Sequence, residues 1–196
     1  MKNYVLVDET GELTIRGSGL KSRGLERFQR RFMEEMFRLM LEDKRGEIPE
    51  LLNAFKQRIA EHRMPIRELM KTDTLQDSLE VYRQKISGKR RNVAAAYELA
   101  LKASRPYNSG DQISYYVAGK GLRVKVSAAA RLVSEHDPAH PDENVEYYQA
   151  KLDELYAKFK PYIDRAGLFD AAALVPPEER MQQELIAPSA SDADAD

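Results

Sequence analysis

The chain has 196 residues, of which 42% are hydrophobic and 32% charged, enough for one medium-sized domain with a buried core or for two small ones. It contains no cysteine, so disulfides and thiolate metal sites are excluded. We find neither a secretory signal nor an apolar run long enough to span a membrane, and we therefore expect a cytoplasmic protein with no membrane partner.

The first predicted element is a β-hairpin. Tyr4-Val-Leu-Val and Leu13-Thr-Ile are β-prone runs, and they flank the glycine-containing segment Asp8-Glu-Thr-Gly-Glu. Two strands alone are only marginally stable in water. We therefore expect this hairpin either to complete a sheet supplied by another polypeptide or to pack onto the helices that follow.

Two long amphipathic helices are predicted next. Apolar residues recur at helical spacing from Leu25 to about residue 42, and again over residues 47–61. The turn between these segments, Asp43-Lys-Arg-Gly, is short, which favours an antiparallel helix pair.

Shorter helical elements are predicted after this pair. Pro65 suits the first position of a short helical turn over residues 66–70. Asp73 or Thr74 is a suitable N-cap for a helix over residues 75–84, in which Leu75, Leu79 and Tyr82 share one face.

The second half of the chain contains the clearest strand. Gln112-Ile-Ser-Tyr-Tyr-Val is β-branched and aromatic, and a weaker β segment, Leu122-Arg-Val-Lys-Val, follows the turn Gly119-Lys-Gly. After a proline-containing loop, apolar spacing from Val145 to about residue 160 predicts another amphipathic helix. The predicted fold class is mostly α with a small β component (α+β).

Catalytic and metal-binding motifs are absent from the sequence, so we name no catalytic or metal-ligating residue. His136 and His140 lie beside Asp137 and Asp142, but Pro138 and Pro141 prevent one helical face from carrying both imidazoles. No phosphate-binding glycine loop of the Gly-x-x-x-x-Gly-Lys type and no Gly-x-Ser-x-Gly nucleophile elbow occurs.

A cationic turn over residues 82–93 is the main positive signal. Five cationic side chains, among them Lys89, Arg90 and Arg91, precede Asn92, a predicted N-cap for the helix that starts at Val93. Free backbone N–H groups at a helix N-terminus and fixed positive charge together favour phosphate.

Two further basic clusters lie in or beside glycine- or serine-containing loops. Such loops let a backbone approach a phosphate closely, although the same cations also serve simply to solvate a loop. The clusters consist of Arg16, Lys21, Arg23 and Arg27, and of Lys120, Arg123 and Lys125.

Several motifs, in order along residues 2–163, resemble the end of the palm and the thumb of family B DNA polymerases. Lys2-Asn-Tyr-Val and the following Leu-Thr-Ile-Arg-Gly are similar to the Lys-x-Tyr motif and the segment after it. The thumb-like motifs are Lys71-Thr-Asp-Thr-Leu with Tyr82, Val93-Ala-x-Ala, Gly110-Asp-Gln-Ile-Ser-Tyr, and Asp137-Pro with Glu146-Tyr-Tyr.

The resemblance implies a thumb that grips primer-template duplex DNA behind a polymerase active site. It implies the following DNA-binding residues: Lys2, Tyr4, Arg23, Lys71, Thr74, Lys89, Arg90, Arg91 and Asn92. It also implies a hairpin from the palm edge over residues 1–20, a thumb-like helical domain with a short β-ribbon over residues 21–165, and a C-terminal extension over residues 166–196. The extension is expected to be disordered from about residue 187, where acidic and small residues leave nothing apolar to bury.

The metal-binding carboxylates of such a polymerase are not matched in this sequence. We therefore expect the chain to be inactive alone, to hold no cofactor, and to act with a separate catalytic polymerase fragment whose palm would bind Mg²⁺. On this hypothesis the gene is split or truncated, and the complete nucleotidyltransferase serves DNA replication or repair. The alternative is a stand-alone accessory protein that binds duplex DNA and derives from a polymerase thumb.

Overall fold

The structure is a computed structural model, and it describes residues 4–8, 10, 13–16, 24–87 and 93–164. The fold is mostly helical with two small antiparallel sheets, which confirms the predicted α+β class. In chain order the elements are β1 (Tyr4–Val7), β2 (Leu13–Arg16), α1 (Arg27–Leu41), α2 (Ile48–Ala60), α3 (Ile66–Leu69), β3 (Lys71–Thr74), α4 (Leu79–Ser87), α5 (Ala95–Lys102), β4 (Gln112–Val117), α6 (Val126–Ala129), β5 (Ala130–Leu132) and α7 (Val145–Ile163). Short 3₁₀ turns lie at Arg45–Glu47 and Val133–Glu135.

The predicted hairpin forms, and it packs onto the helices. β1 and β2 are antiparallel, with Tyr4 opposite Arg16 and Val7 opposite Leu13. Because side chains alternate across a strand, Val5 is buried in the helical core while its neighbour Leu6 is half exposed.

Helices α1, α2 and α7 form a bundle around the larger core, close to their predicted bounds. The ring of Phe28 packs against Tyr148 with centroids 5.7 Å apart, and Phe37 packs against Phe159 at 5.3 Å. These two pairs show that α1 and α7 run parallel, whereas the short turn after α1 makes α2 antiparallel to both. None of the described helices is long and apolar enough to cross a membrane.

One end of the bundle therefore holds the N-termini of α1 and α7 and the C-terminus of α2. Strand β4 meets the bundle at this end, where the Val117 backbone N–H donates to the Tyr148 hydroxyl at 2.7 Å. We call it the sheet end, and the opposite end, which holds the turn between α1 and α2, the far end.

The second sheet has the order β3-β4-β5, and all its neighbours are antiparallel. Strand β4, at the predicted position, is central and joins two cores: Val117 packs with the helix bundle, while Ile113 and Tyr115 pack with α5 in a smaller core.

The predicted start of the helix over residues 75–84 is wrong. Lys71 to Thr74 form a strand, and helix α4 begins at Leu79 instead of being capped by Asp73 or Thr74. Pairing with β4, which is distant in sequence, holds residues 71–74 extended. The pairing continues beyond the strand, because the Leu75 N–H donates to Asp111 O and the Gly110 N–H donates to Leu75 O. Ser78 caps α4, accepting the Val81 N–H at 3.3 Å.

The predicted strand at Leu122-Arg-Val-Lys-Val is also wrong. Gly119 and Gly121 make the predicted turn, with φ values of 91° and 104° that favour glycine. Val124 and Val126 then pack against the helical core, and the third strand forms later, at β5.

Helix α5 starts later than predicted. Ala94 occupies its N-cap position, so the helix begins at Ala95 rather than Val93, and Asn92 lies outside the described residues. The Ala94 N–H donates to the buried Tyr82 hydroxyl at 3.2 Å, and that hydroxyl donates to Glu98 Oε1 at 2.8 Å. Tyr82 thus points inward, as its spacing predicted, and links α4 to α5.

Candidate nucleic-acid interface

The predicted DNA-binding residues are described in part. Lys71 and Thr74 lie in β3, where Lys71 is half-buried and Thr74 exposed. For Tyr4 only the backbone position in β1 is described. Lys2, Arg23, Lys89, Arg90, Arg91 and Asn92 lie outside the described residues.

An open cleft of about 490 Å³ lies at the sheet end of the bundle, between the start of α1 and strand β3. Helix α1 contributes Arg27 and Arg30, which are three residues apart and therefore share one face of the helix. Strand β3 contributes Lys71 and Thr72 from the other side. The cleft thus brings together Arg27, which belongs to a predicted basic cluster, and Lys71, which the resemblance implies as a DNA-binding residue.

Arg27 and Arg30 supply the available positive charge of the cleft. Both side chains are exposed, and within the described parts of the chain neither has an acidic partner within 4.0 Å. They lie in the first turn of a 15-residue helix, where the helix dipole adds a partial positive charge. This arrangement favours an anion near α1.

Glu26 places a carboxylate at the base of the same cleft. Its side chain is 2% exposed, and Oε1 lies 3.3 Å from Lys71 Nζ and 3.9 Å from Lys151 Nζ. Among the described residues Oε2 has no hydrogen-bond partner. Gln29 links the start of α1 to α7. Its Oε1 accepts the Glu26 N–H at 3.2 Å, and its Nε2 donates to the backbone Lys151 O at 3.2 Å. Lys71 is therefore largely neutralised by Glu26.

Thr72 and Tyr115 line the strand side of the cleft. Thr72 Oγ1 lies 2.7 Å from Ser114 Oγ of the neighbouring strand β4. The Tyr115 hydroxyl donates to Asp73 Oδ2 at 2.7 Å, and burial raises the pKa of Tyr115 above its ordinary value. Tyr115 thus stays protonated at neutral pH and remains bonded to Asp73. When Ser114 donates to Thr72, the Thr72 hydroxyl hydrogen can be donated to a ligand oxygen.

The histidines do not form a metal centre. His136 Nε2 lies 3.4 Å from the buried carboxylate of Glu143, which His62 Nδ1 approaches at 2.9 Å, whereas His140 bonds to Asp137. No group of three His, Asp or Glu side chains in the described segments is arranged to hold a metal ion. The histidines and carboxylates of these segments therefore do not fit a Mg²⁺ site.

Sequence reasoning missed Arg30 and Glu26 as parts of the cleft. Arg30 could have been found, since it lies one helical turn after Arg27 in the polar face of a strongly predicted helix. Glu26 could not, because its burial depends on Lys71 and Lys151, which are distant in sequence.

Comparisons with known proteins relate the chain to DNA polymerases. No family model matches the chain. In sequence the chain is 29% identical over 149 residues to a DNA polymerase from Thermococcus aggregans, a match that covers 75% of this chain and 8% of that protein. In structure it is similar to the family B DNA polymerase from the hyperthermophilic archaeon Pyrobaculum calidifontis, with a TM-score of 0.55 and 20% identity, covering 81% of this chain and 20% of that one.

The chain thus spans only a small part of the length of each protein that it matches. The structural match shows a shared fold, and the sequence match is to a DNA polymerase. The resemblance predicted from the motifs is therefore confirmed: this chain is similar to a fragment of a family B DNA polymerase.

Proposed function

We propose that the chain is a DNA-binding thumb module that grips primer-template duplex during template-directed synthesis. The observation that carries this proposal is the cleft at the sheet end. There Arg27 and Arg30, without acidic partners in the described region, face Lys71 and Thr72 in a chain similar to a polymerase fragment.

The chemistry of the cleft matches a nucleic-acid backbone. Guanidinium groups bind phosphate oxygens with two parallel hydrogen bonds, and hydroxyls such as that of Thr72 add neutral donors. Such contacts fix the position of a duplex and carry no base information. The remaining predicted contacts, which are Lys2, Tyr4, Arg23, Thr74 and residues 89–92, extend this backbone grip.

The module does not perform the chemistry itself. A cytoplasmic catalytic fragment supplies the carboxylates that bind Mg²⁺, and the hairpin β1–β2 joins its palm sheet. Primer extension by that fragment therefore increases when this chain is added, and the two polypeptides co-purify. Extension that is unchanged by the chain would contradict the partnership and favour the stand-alone accessory protein.

The grip is tested by measuring duplex affinity as a function of salt. Each neutralised phosphate contributes about −0.9 to the slope of log K against log salt concentration. Arg27→Ala with Arg30→Ala should weaken binding at every duplex sequence and make the slope shallower by about 1.8.

A matched control removes two cations from the far end, Arg38 and Lys44, and should leave affinity and slope near those of the unmodified chain. Equal losses in the two double variants would show that only net charge matters. A loss that depends on duplex sequence would contradict backbone recognition.

A further inference from the structure

Residues 119–125 form a second cationic feature at the sheet end, separate from the cleft. The loop, which we call the 119–125 loop, leaves β4 and enters α6. Lys120, Arg123 and Lys125 are all exposed, and no acidic side chain within the described residues pairs with them. Leu122 between them is 58% exposed.

The loop is held in place by the start of α7. Asn144 is fully buried, and its side chain both accepts the Tyr147 N–H at 3.0 Å and donates to Gly121 O at 3.0 Å. The Glu146 carboxylate accepts the Gly121 N–H, and the Gly119 N–H donates to Asp142 O at 2.8 Å. The Glu146 carboxylate is therefore engaged with a backbone group, and the Asp142 carboxylate is engaged with Tyr116 and Arg131.

The position of the loop relative to the cleft is set by strand β4. Lys71 in the cleft pairs with Tyr115, and Gly119 follows four residues later along the chain. At about 3.3 Å per extended residue, the backbone of Gly119 lies no more than about 13 Å from that of Tyr115. The loop and the cleft are therefore close enough for one duplex to meet both.

We propose that the 119–125 loop is a second contact surface for the backbone of duplex nucleic acid, next to the cleft. This inference rests on the proposed function, because the cleft fixes the duplex that the loop then meets. Three fixed cations on an anchored loop suit a regular array of phosphates, whereas a single exposed leucine provides little apolar area for a lipid surface.

The test compares the full chain with a loop variant that carries Lys120→Ala, Arg123→Ala and Lys125→Ala. Duplex affinity of the loop variant should fall about tenfold or more near 0.1 M salt, with a slope shallower by about 2.7. Hydroxyl-radical protection of the duplex should be lost at one side, at the nucleotides that the loop covers, while protection at the cleft remains. Replacing the same residues with Lys120→Arg, Arg123→Lys and Lys125→Arg should preserve affinity and protection.

The matched control removes three far-end cations, Arg38, Lys44 and Lys160, and should keep the full protected length. Protection and slope that stay unchanged in the loop variant, while Arg27→Ala with Arg30→Ala weakens binding, would overturn the loop contact and leave the proposed function intact. A full chain that does not bind duplex at all would overturn both.

The same variants are tested on vesicles of phosphatidylcholine with phosphatidylserine. We expect no vesicle binding that depends on the loop. Vesicle binding that Leu122→Ser abolishes, together with unchanged duplex binding by the loop variant, would overturn the proposal and assign the loop to a lipid surface.

Discussion

Glu26 places a buried negative charge beneath a cleft whose other charged residues are mostly cations. Its Oε1 lies 3.3 Å from Lys71 Nζ, so the lysine implied by the resemblance already has a counter-ion before any ligand arrives. On the proposed function, a phosphate in the cleft would compete with this carboxylate for Lys71 and would be repelled by it. Glu26 would therefore limit the affinity of the cleft for a backbone phosphate.

Replacing Glu26 with Gln tests this competition. The change keeps the size of the side chain and removes its charge, so we expect tighter duplex binding and a salt slope steeper by about 0.9, because Lys71 becomes available to a phosphate. The measurement is duplex affinity across a salt series, with Glu42→Gln at the far end as the control. Weaker binding by Glu26→Gln would show instead that Glu26 mainly holds Lys71 in a binding position.

At the scale of elements, β4 and the first turn of α7 meet through tyrosines that are buried or, for Tyr147, partly buried. Burial raises the pKa of Tyr115 and Tyr116 in β4 and of Tyr147 and Tyr148 in α7. The Tyr115 and Tyr116 hydroxyls donate to the carboxylates of Asp73 and Asp142, and only a protonated phenol can donate. The folded chain therefore favours the protonated form of these tyrosines.

Because of these tyrosines, the free energy of unfolding should fall as pH rises into the alkaline range. A pKa that is raised in the folded chain contributes stability that is fully present below the unfolded value of about 10 and is lost as pH rises above it. Each tyrosine that ionises only on unfolding lowers the free energy of unfolding by about 1.4 kcal/mol per pH unit. Urea denaturation between about pH 9 and 11.5 measures this slope.

Tyr147→Phe should make the slope shallower by up to about 1.4 kcal/mol per pH unit, because one titrating phenol is removed. Tyr162→Phe is the matched control, since Tyr162 lies in the same helix and is 48% exposed. Equal effects of the two substitutions would contradict a special role for the buried junction.

The elements that the sequence predicted well are those stabilised by their own pattern. Apolar residues at helical spacing in α1, α2 and α7 form the faces that bury Phe28, Leu52 and Leu152, and the β-branched and aromatic run of β4 forms the central strand. Strand β3 was missed because Lys71-Thr-Asp-Thr has no apolar alternation, and it is extended only because β4 supplies a partner.

For the candidate site, the sequence predicted individual residues but not their proximity. Arg27 and Lys71 were identified from a basic cluster and from the resemblance, but nothing local indicated that they line one cleft. Their proximity depends on the packing of α1 beside β3, and the burial of Glu26 depends on Lys71 and Lys151. Long-range packing of this kind leaves no short-range pattern.

At the scale of the whole molecule, charge is distributed unevenly along the bundle. The sheet end has the N-termini of two helices, α1 and α7, with Arg27, Arg30 and the 119–125 loop. At the far end, a groove between α1 and α2 is lined by Glu35, Glu42, Glu47 and Glu50 with Arg38. The groove at the far end therefore carries a net negative charge, and on the proposed function this asymmetry would help to orient a duplex before close contact.

The central claim is that duplex DNA binds at the sheet end, and an NMR titration of the full chain with a short duplex tests it most directly. Backbone amide shifts should change for Gly24 to Arg30, for β3 and for the 119–125 loop, and amides of Arg45–Glu47 at the far end should not move. Changes confined to the far end, or no changes with saturating duplex at low salt, would contradict the account.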